Sequence, residues 1–203
     1  QAIDTIERSY ALIAEENPTE ALTLLDNASK QFEQRYELPV EDVTTTYVPA
    51  ENVYIDKYLV KVNEMNKNAP ELADYFTDLL YLKAYTLVEM GELKPAIDVL
   101  NKVIAYDPSR ANSYSELGHI YQSIGDWTRA EMSFEMALTA SQYSEPAKKI
   151  THKTRAIRGL GFVAIELGKL DIAEAYYYQS LELDPNDEQA KIELKYIENL
   201  RQK

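Results

Sequence analysis

Two consecutive stretches decide the fold: TDLLYLKAYTLVEMGELKPAIDVLNKVIAYDPSR at residues 77–110 and ANSYSELGHIYQSIGDWTRAEMSFEMALTASQYS at residues 111–144. Laid one under the other, Gly91 falls on Gly125, Ala96 on Ala130, Leu100 on Phe134 and Ile104 on Leu138. A third copy at residues 154–187 puts Gly168, Ala173, Tyr177 and Leu181 in the same places. A period of this length means a stack of supersecondary units, each too small to bury its own apolar face. The spacing of apolar residues within a copy is helical, so the unit is a helix pair. Gly91, Gly125 and Gly168 stand between the two helices, where a left-handed residue ends the first one. Pro108 and Pro185 follow the second helix, where a missing N–H and a fixed φ suit a new start.

The middle copy reads Tyr114-x-x-Leu117-Gly118-x-x-Tyr121, then Ala130-x-x-x-Phe134 and Ala137, and this resembles the tetratricopeptide repeat (TPR). The first copy matches more loosely through Leu80, Ala84, Leu87, Gly91, Ala96, Leu100 and Pro108. The third matches through Ile157, Leu160, Gly161, Ala164, Gly168, Ala173, Tyr177 and Pro185. Small residues at Ala84/Ala96, Gly118/Ala130 and Gly161/Ala173 predict close helix crossings, with Phe134 and Tyr177 filling the space beside them. The resemblance implies an all-α, TPR-like α-solenoid of antiparallel helix pairs, wound as a right-handed superhelix. An N-terminal helical extension precedes the array and a C-terminal capping helix closes it.

Outward from the repeats, Ile3, Ile6, Tyr10 and Ile13, a break at Asn17-Pro18, then Ala21, Leu25, Ala28 and Phe32 predict a helical hairpin over 2–35. It is either a degenerate repeat or an unrelated hairpin. Residues 36–49 lose the helical period and predict an irregular stretch, a surface loop or one that folds back into the groove. Residues 50–68 return to helix, and Pro70 opens a long first helix for the first copy. The organisation expected is an N-terminal region, 1–76, and an array, 77–203, of repeats 77–110, 111–144 and 154–187 with a capping helix over 187–203. The interval from Gly125 to Gly168 is nine residues longer than that from Gly91 to Gly125, which lengthens the third copy's first helix. Ser144 before Pro146 reads as that helix's cap.

The chain of 203 residues has 34 acidic and 21 basic side chains, for a net charge of −13. The first 76 residues carry 15 acidic and 6 basic groups; the remainder carries 19 and 15. That balance excludes a nucleic-acid partner, which needs a basic field, and opposes adsorption to an anionic membrane surface. No run nears the roughly 18 apolar residues of a membrane span, so membrane insertion is not expected. Cysteine is absent and histidine numbers two, His119 and His152, so thiol chemistry and a thiolate metal site are excluded. No motif for nucleotide, metal or acyl chemistry appears, and the expectation is a protein that is not an enzyme, with no cofactor, metal or catalytic residue. The start at Gln1, with no cysteine, suits removal of a leader and export to a bacterial periplasm; a trimmed cytosolic chain is the alternative.

What the resemblance implies about binding is a peptide of a partner protein held in a concave groove lined by the first helix of each copy. Carried onto this chain, the first copy offers Asp78, Tyr81, Leu82, Tyr85, Val88 and Glu89. The second offers Asn112, Ser115, Glu116, His119, Gln122 and Ser123, and the third Arg155, Arg158, Gly159, Phe162, Ile165 and Glu166. Some members clamp a C-terminal carboxylate with Lys and Asn on three successive copies. Here Tyr81 and Tyr85, Glu116, and Arg155 and Gly159 stand at those places, and only Arg155 fits. Lys148, Lys149 and Lys153 join Arg155, Arg158 and His152 in a basic arm, either a solvated face or, with the two arginines, a receiver for an acidic partner segment. His119, one turn from Glu116, is expected to be a groove histidine with a local partner. The rival to the binding module is a structural or oligomerising subunit that uses its convex or end surfaces, its groove filled by its own helices.

Overall fold

The computed structural model describes residues 2–36 and 70–202. The irregular stretch expected from residue 37 and the helix expected over 50–68 lie outside the described residues. The described residues form nine α-helices, in order: α1 Ala2–Ala14, α2 Pro18–Tyr36, α3 Pro70–Glu89, α4 Leu93–Tyr106, α5 Ala111–Ser123, α6 Trp127–Ala140, α7 Pro146–Glu166, α8 Leu170–Leu183 and α9 Glu188–Arg201. A 3₁₀ turn at Ser141–Tyr143 leads into α7. The described residues contain no strand. Among them no helix is long and apolar enough to cross a membrane. Two compact units form, residues 1–108 and 109–203, rather than a division after residue 76. The physical reason is α3, which runs unbroken through residues 76 and 77 and packs on both α2 and α4.

In the first unit, α1 packs on α2, α2 on α3 and α3 on α4. Leu25, Leu79 and Leu82 form one buried cluster with Ile6, Ile13, Ala28 and Tyr75 around it. Phe32 stacks on Phe76 at 4.7 Å between ring centroids, and Phe76 meets Tyr106 edge-on at 5.2 Å. Lys83 of α3 pairs with Asp26 of α2 at 2.6 Å, and Lys102 of α4 pairs with Glu33 of α2, which ties the first helix pair to the second. Asn17 closes the start of α2: its Oδ1 accepts from Glu20 N at 3.4 Å and its Nδ2 donates to Glu20 Oε2 at 2.7 Å.

One turn recurs in all four hairpins. Gly91 N donates to Val88 O and Glu92 N to Leu87 O; Gly125 and Asp126, and Gly168 and Lys169, repeat the pair of bonds. These are the two hydrogen bonds of a Schellman end, which needs a left-handed residue. In the first hairpin Glu16 takes that place, with φ +58°, and its N–H donates to Ile13 O while Asn17 N donates to Leu12 O. The left-handed residue stands five positions before a fully buried alanine each time: Glu16 before Ala21, Gly91 before Ala96, Gly125 before Ala130, Gly168 before Ala173.

In the second unit α5 to α9 stack in chain order, with α5 also touching α7. The other three glycines serve space rather than φ. A Cβ on Gly118 would lie 2.6 Å from the Phe134 ring, and one on Gly159 would lie 2.4 Å from the other part of the same ring. Phe134, on α6 and wholly buried, is therefore clasped between the backbones of α5 and α7. Gly161 on α7 makes the same room for Tyr177 of α8, at 2.8 Å. Tyr177, Ala173, Ala164, Ile165, Ala190 and Ile197 form the buried cluster on which α9 closes. The extension of the third copy is real, α7 having 21 residues. Its N-cap is Glu145, with no side-chain cap bond, and not Ser144. Ser144 Oγ instead lies 2.7 Å from His152 Nδ1, two turns into the helix.

Two expected outcomes test this account. Gly118→Leu drives a side chain into a ring that cannot retreat, and costs about 1–3 kcal/mol in urea unfolding; Phe134→Ala in the same chain recovers part of that loss. Glu16→Gly relieves the left-handed penalty on a side-chain-bearing residue and raises stability by about 1 kcal/mol. An unchanged or lowered midpoint would show that Glu16 is held there by a contact worth more than its backbone cost.

Candidate functional site

Helical spacing sets out the site. On α7, Arg155, Arg158 and Phe162 are three and four residues apart and share a face. His119 and Gln122 are one turn apart on α5, and Gln189 and Glu193 one turn apart on α9. Together with Gly159 and Tyr177 these residues line a cavity of about 220 Å³ in the second unit. The sequence reading took α9 as a cap, with the alternative that the chain's own helices fill the groove, and named neither Gln189 nor Glu193 as a lining residue.

The two arginines are anchored by the chain's own carboxylates. Arg155 Nη2 donates to Glu116 Oε1 at 2.7 Å, and its Nε reaches His119 Nε2 at 3.4 Å. His119 Nδ1 lies 3.0 Å from Gln122 Oε1. Arginine can only donate, so Nε2 accepts and Nδ1–H donates to Gln122, which fixes one neutral tautomer. Burial pushes the His119 pKa down and the Arg155 charge adds to that, against the Gln122 bond and Glu116, which raise it. The local partner of His119 is thus Gln122, not Glu116. The ring also meets Phe134 edge-on at 5.1 Å, so the histidine is seated on the core ring that spaces the helices.

Arg158 Nη1 donates to Asp187 Oδ2 at 2.8 Å. Asp187 is the N-cap of α9, accepting from Ala190 N at 3.2 Å, and it also accepts from Ser180 Oγ at 2.6 Å. One buried carboxylate therefore joins α7, α8 and α9. Burial alone would raise its pKa; the bonds from Ser180, Arg158 and Ala190 outweigh that and hold it below the usual carboxylate range. The signal was legible as an aspartate after Pro185 at a helix start. Its reach to Arg158 was not.

The remaining expected site residues are distributed as follows. Tyr81 and Tyr85 belong to the first unit; Tyr81 packs against Phe76, Leu80 and Val103, while Tyr85 is 38% exposed. Leu82 is core, beside Leu25 and Leu79. Asn112 is half-buried. Ser115 is 1% exposed, which corrects the expectation that it faces a groove. Gly159 is buried under Phe134 as well as lining the cavity. In the basic arm, Lys148 Nζ lies 3.3 Å from Glu145, and Lys149 Nζ donates to Gln142 O at 2.9 Å. Lys153 is half-buried and is not among the cavity's lining residues. The Lys148–Glu145 pair is exposed and contributes little.

Two family models match the chain: one described as a TPR repeat over residues 84–125, and one described as a tetratricopeptide repeat over residues 159–187. No curated protein matches it. Among solved structures, the first TPR of Spaghetti (RPAP3) bound to the HSP90 peptide SRMEEVD is similar at TM-score 0.55 and 24% identity, covering 63% of this chain and 96% of that one. MamA, residues 41 to the end, from Desulfovibrio magneticus RS-1 is similar at TM-score 0.62 and 16% identity, over 99% of this chain and 85% of that one. PilF of Pseudomonas aeruginosa is similar at TM-score 0.54 and 19% identity, over 74% and 68%. At these identities the likeness is one of fold.

The Asp187 junction makes the prediction here. Asp187→Ala removes a cap and strands Arg158 half out of water, costing about 2–4 kcal/mol. A carboxyl held below its unfolded pKa stabilises the fold above the ordinary aspartate range, and that stability is lost as pH falls through the folded value. Asp187→Asn should therefore flatten the acid limb of the stability–pH curve in urea unfolding. An acid limb identical to that of the parent chain would show that Asp187 is not held low by these bonds.

Proposed function

Because the chain carries tetratricopeptide repeats in an all-α, TPR-like solenoid fold, we propose that it is a protein-interaction module that binds an extended segment of a partner protein on the second unit, without catalysis of its own. The observation that carries this reading is the cavity shared by α5, α7 and α9, which sets an exposed aromatic ring among hydrogen-bonding side chains. Phe162 is 38% exposed on its wall, with Trp127 beside it at 6.4 Å. Backbone groups of an extended segment find amide partners in Gln122 and Gln189, and a side chain finds Phe162. In support, the same fold holds a peptide in Spaghetti.

The expectation of an acidic partner segment rests on Arg155 and Arg158. Each is already held by a carboxylate of this chain, so an acidic segment would compete with Glu116 and Asp187 for them. The second reading, an oligomerising subunit, has one observation in its favour. Ile192 and Tyr196 stand one turn apart on α9 at 64% and 49% exposure, an apolar strip on the last helix that a second copy of the chain would cover.

Panning a random linear-peptide library on the whole chain tests the first reading. Recovered peptides should bind Phe162→Ala at least about tenfold more weakly, the loss of one buried aromatic contact. Peptides that bind Phe162→Ala as well as the parent would overturn the site. A dimer by sedimentation that Ile192→Glu converts to monomer, with no peptide recovered, would favour the second reading.

A further inference from the structure

Three charged side chains line the cavity, and they differ in whether the chain itself answers them. Arg155 is answered by Glu116 and Arg158 by Asp187, each through a direct ion pair. His119 is neutral in the tautomer its two bonds require. Glu193 of α9 is left: half-buried and on the cavity wall, with no hydrogen bond or ion pair to any described residue. Of the charged residues that line the cavity, Arg155 and Arg158 are each in an ion pair and Glu193 is in none. Withdrawing a carboxylate from water without a partner is unfavourable, and a cation brought beside it recovers the loss. Burial pushes the Glu193 carboxyl up, with no opposing bond to draw it down; burial also raises the phenol of Tyr177, and the Glu193 charge adds to that.

A second feature points the same way. The exposed face of Phe162 lines the same cavity. An aromatic face attracts an ammonium or guanidinium and packs against the methylene stem that carries it. An acidic side chain would instead stand beside Glu193 and meet the negative face of the ring. The net charge of −13 favours approach of a cation at long range.

We propose that this cavity is the pocket for one basic side chain, lysine or arginine, of the bound segment, with Glu193 as its counter-ion and Phe162 as the wall for its stem. This rests on the reading of the cavity as a peptide site and reverses the sign of partner that Arg155 and Arg158 suggest in the sequence.

The test uses the whole chain and two small probes, n-butylguanidinium chloride and sodium butyrate, at matched ionic strength, followed by the NMR signals of Phe162, Gln189 and Glu193. The cation should give saturable shifts and butyrate none. Glu193→Gln should raise the dissociation constant of the cation about tenfold or more, the loss of one charge-assisted bond. The same variant should unfold no more easily than the parent, because it removes an unpaired charge. Shifts caused by butyrate, cation shifts that survive Glu193→Gln, or no shift with either probe would each overturn the pocket. The peptides recovered by panning separate the two claims. If they depend on Phe162 but tolerate replacement of every Lys and Arg by Gln, the cation pocket falls and the peptide site stands. If the cation saturates the pocket while peptide binding ignores Phe162→Ala, the peptide site falls and the pocket stands.

Discussion

The second unit depends on one ring with nowhere to go. Phe134 is clasped between Gly118 on α5 and Gly159 on α7, each so close that a single added methyl would overlap the ring. Interiors pack at crystal-like density, so such a ring acts as a spacer that sets the separation of three helices at once. That separation is what brings Arg155 of α7 to 2.7 Å from Glu116 of α5, and it seats His119 edge-on against the same ring. Tyr177 against Gly161 repeats the device one layer on, at the floor of the cavity. Core and site are therefore one structure: an error of half an ångström in the clasp is an error in the ion pair above it.

The repeat spacing was legible because it is a local property written several times. Gly91, Gly125 and Gly168 have positive φ as their place between helices requires, and Ala96, Ala130 and Ala173 are wholly buried at the crossings. Glu16 shows the limit of residue type as a signal. It makes the same left-handed turn with the same two hydrogen bonds, but a glutamate does not announce that conformation, so the first hairpin could not be separated from an unrelated one by its letters. Gly159 has a second duty that its letters do not announce. Its position in the repeat pointed to the groove, whereas the ring that it must admit comes from another helix, 25 positions away in the chain.

The candidate site was legible by face and not by partner. Helical periodicity grouped Arg155, Arg158, His119, Gln122 and Phe162 by face, and all five line one cavity. It also put Ser115 there, and a shift of one position around a helix is enough to bury it. What periodicity cannot supply is the group opposite. Glu116 and Asp187 lie 39 and 29 residues from the arginines that they hold, and those pairings follow only from the stacking of whole helices. The basic cluster, read along one helix, left open a solvated face or a receiver for an acidic segment; the fold pairs its two arginines with carboxylates of other helices. On the cavity wall, Glu193 has no hydrogen bond or ion pair to any described residue, and it lies on a helix that the sequence presented chiefly as a cap.

The last helix accordingly has two duties that meet in one turn. Asp187 docks its start through Arg158, Ser180 and the Ala190 amide, and these bonds are strong because a carboxylate accepts all of them in a buried setting. Six residues on, Glu193 is half-buried with no hydrogen bond or ion pair to any described residue, which disfavours its charge. A helix end that docked weakly could relieve that strain by fraying, since terminal segments open at little cost. The Asp187 junction removes this escape: by fixing the first turn of α9 it keeps Glu193 on the cavity wall. The two carboxylates thus form a pair of opposite function, one spending its charge on the fold so that the other can keep its charge for a partner.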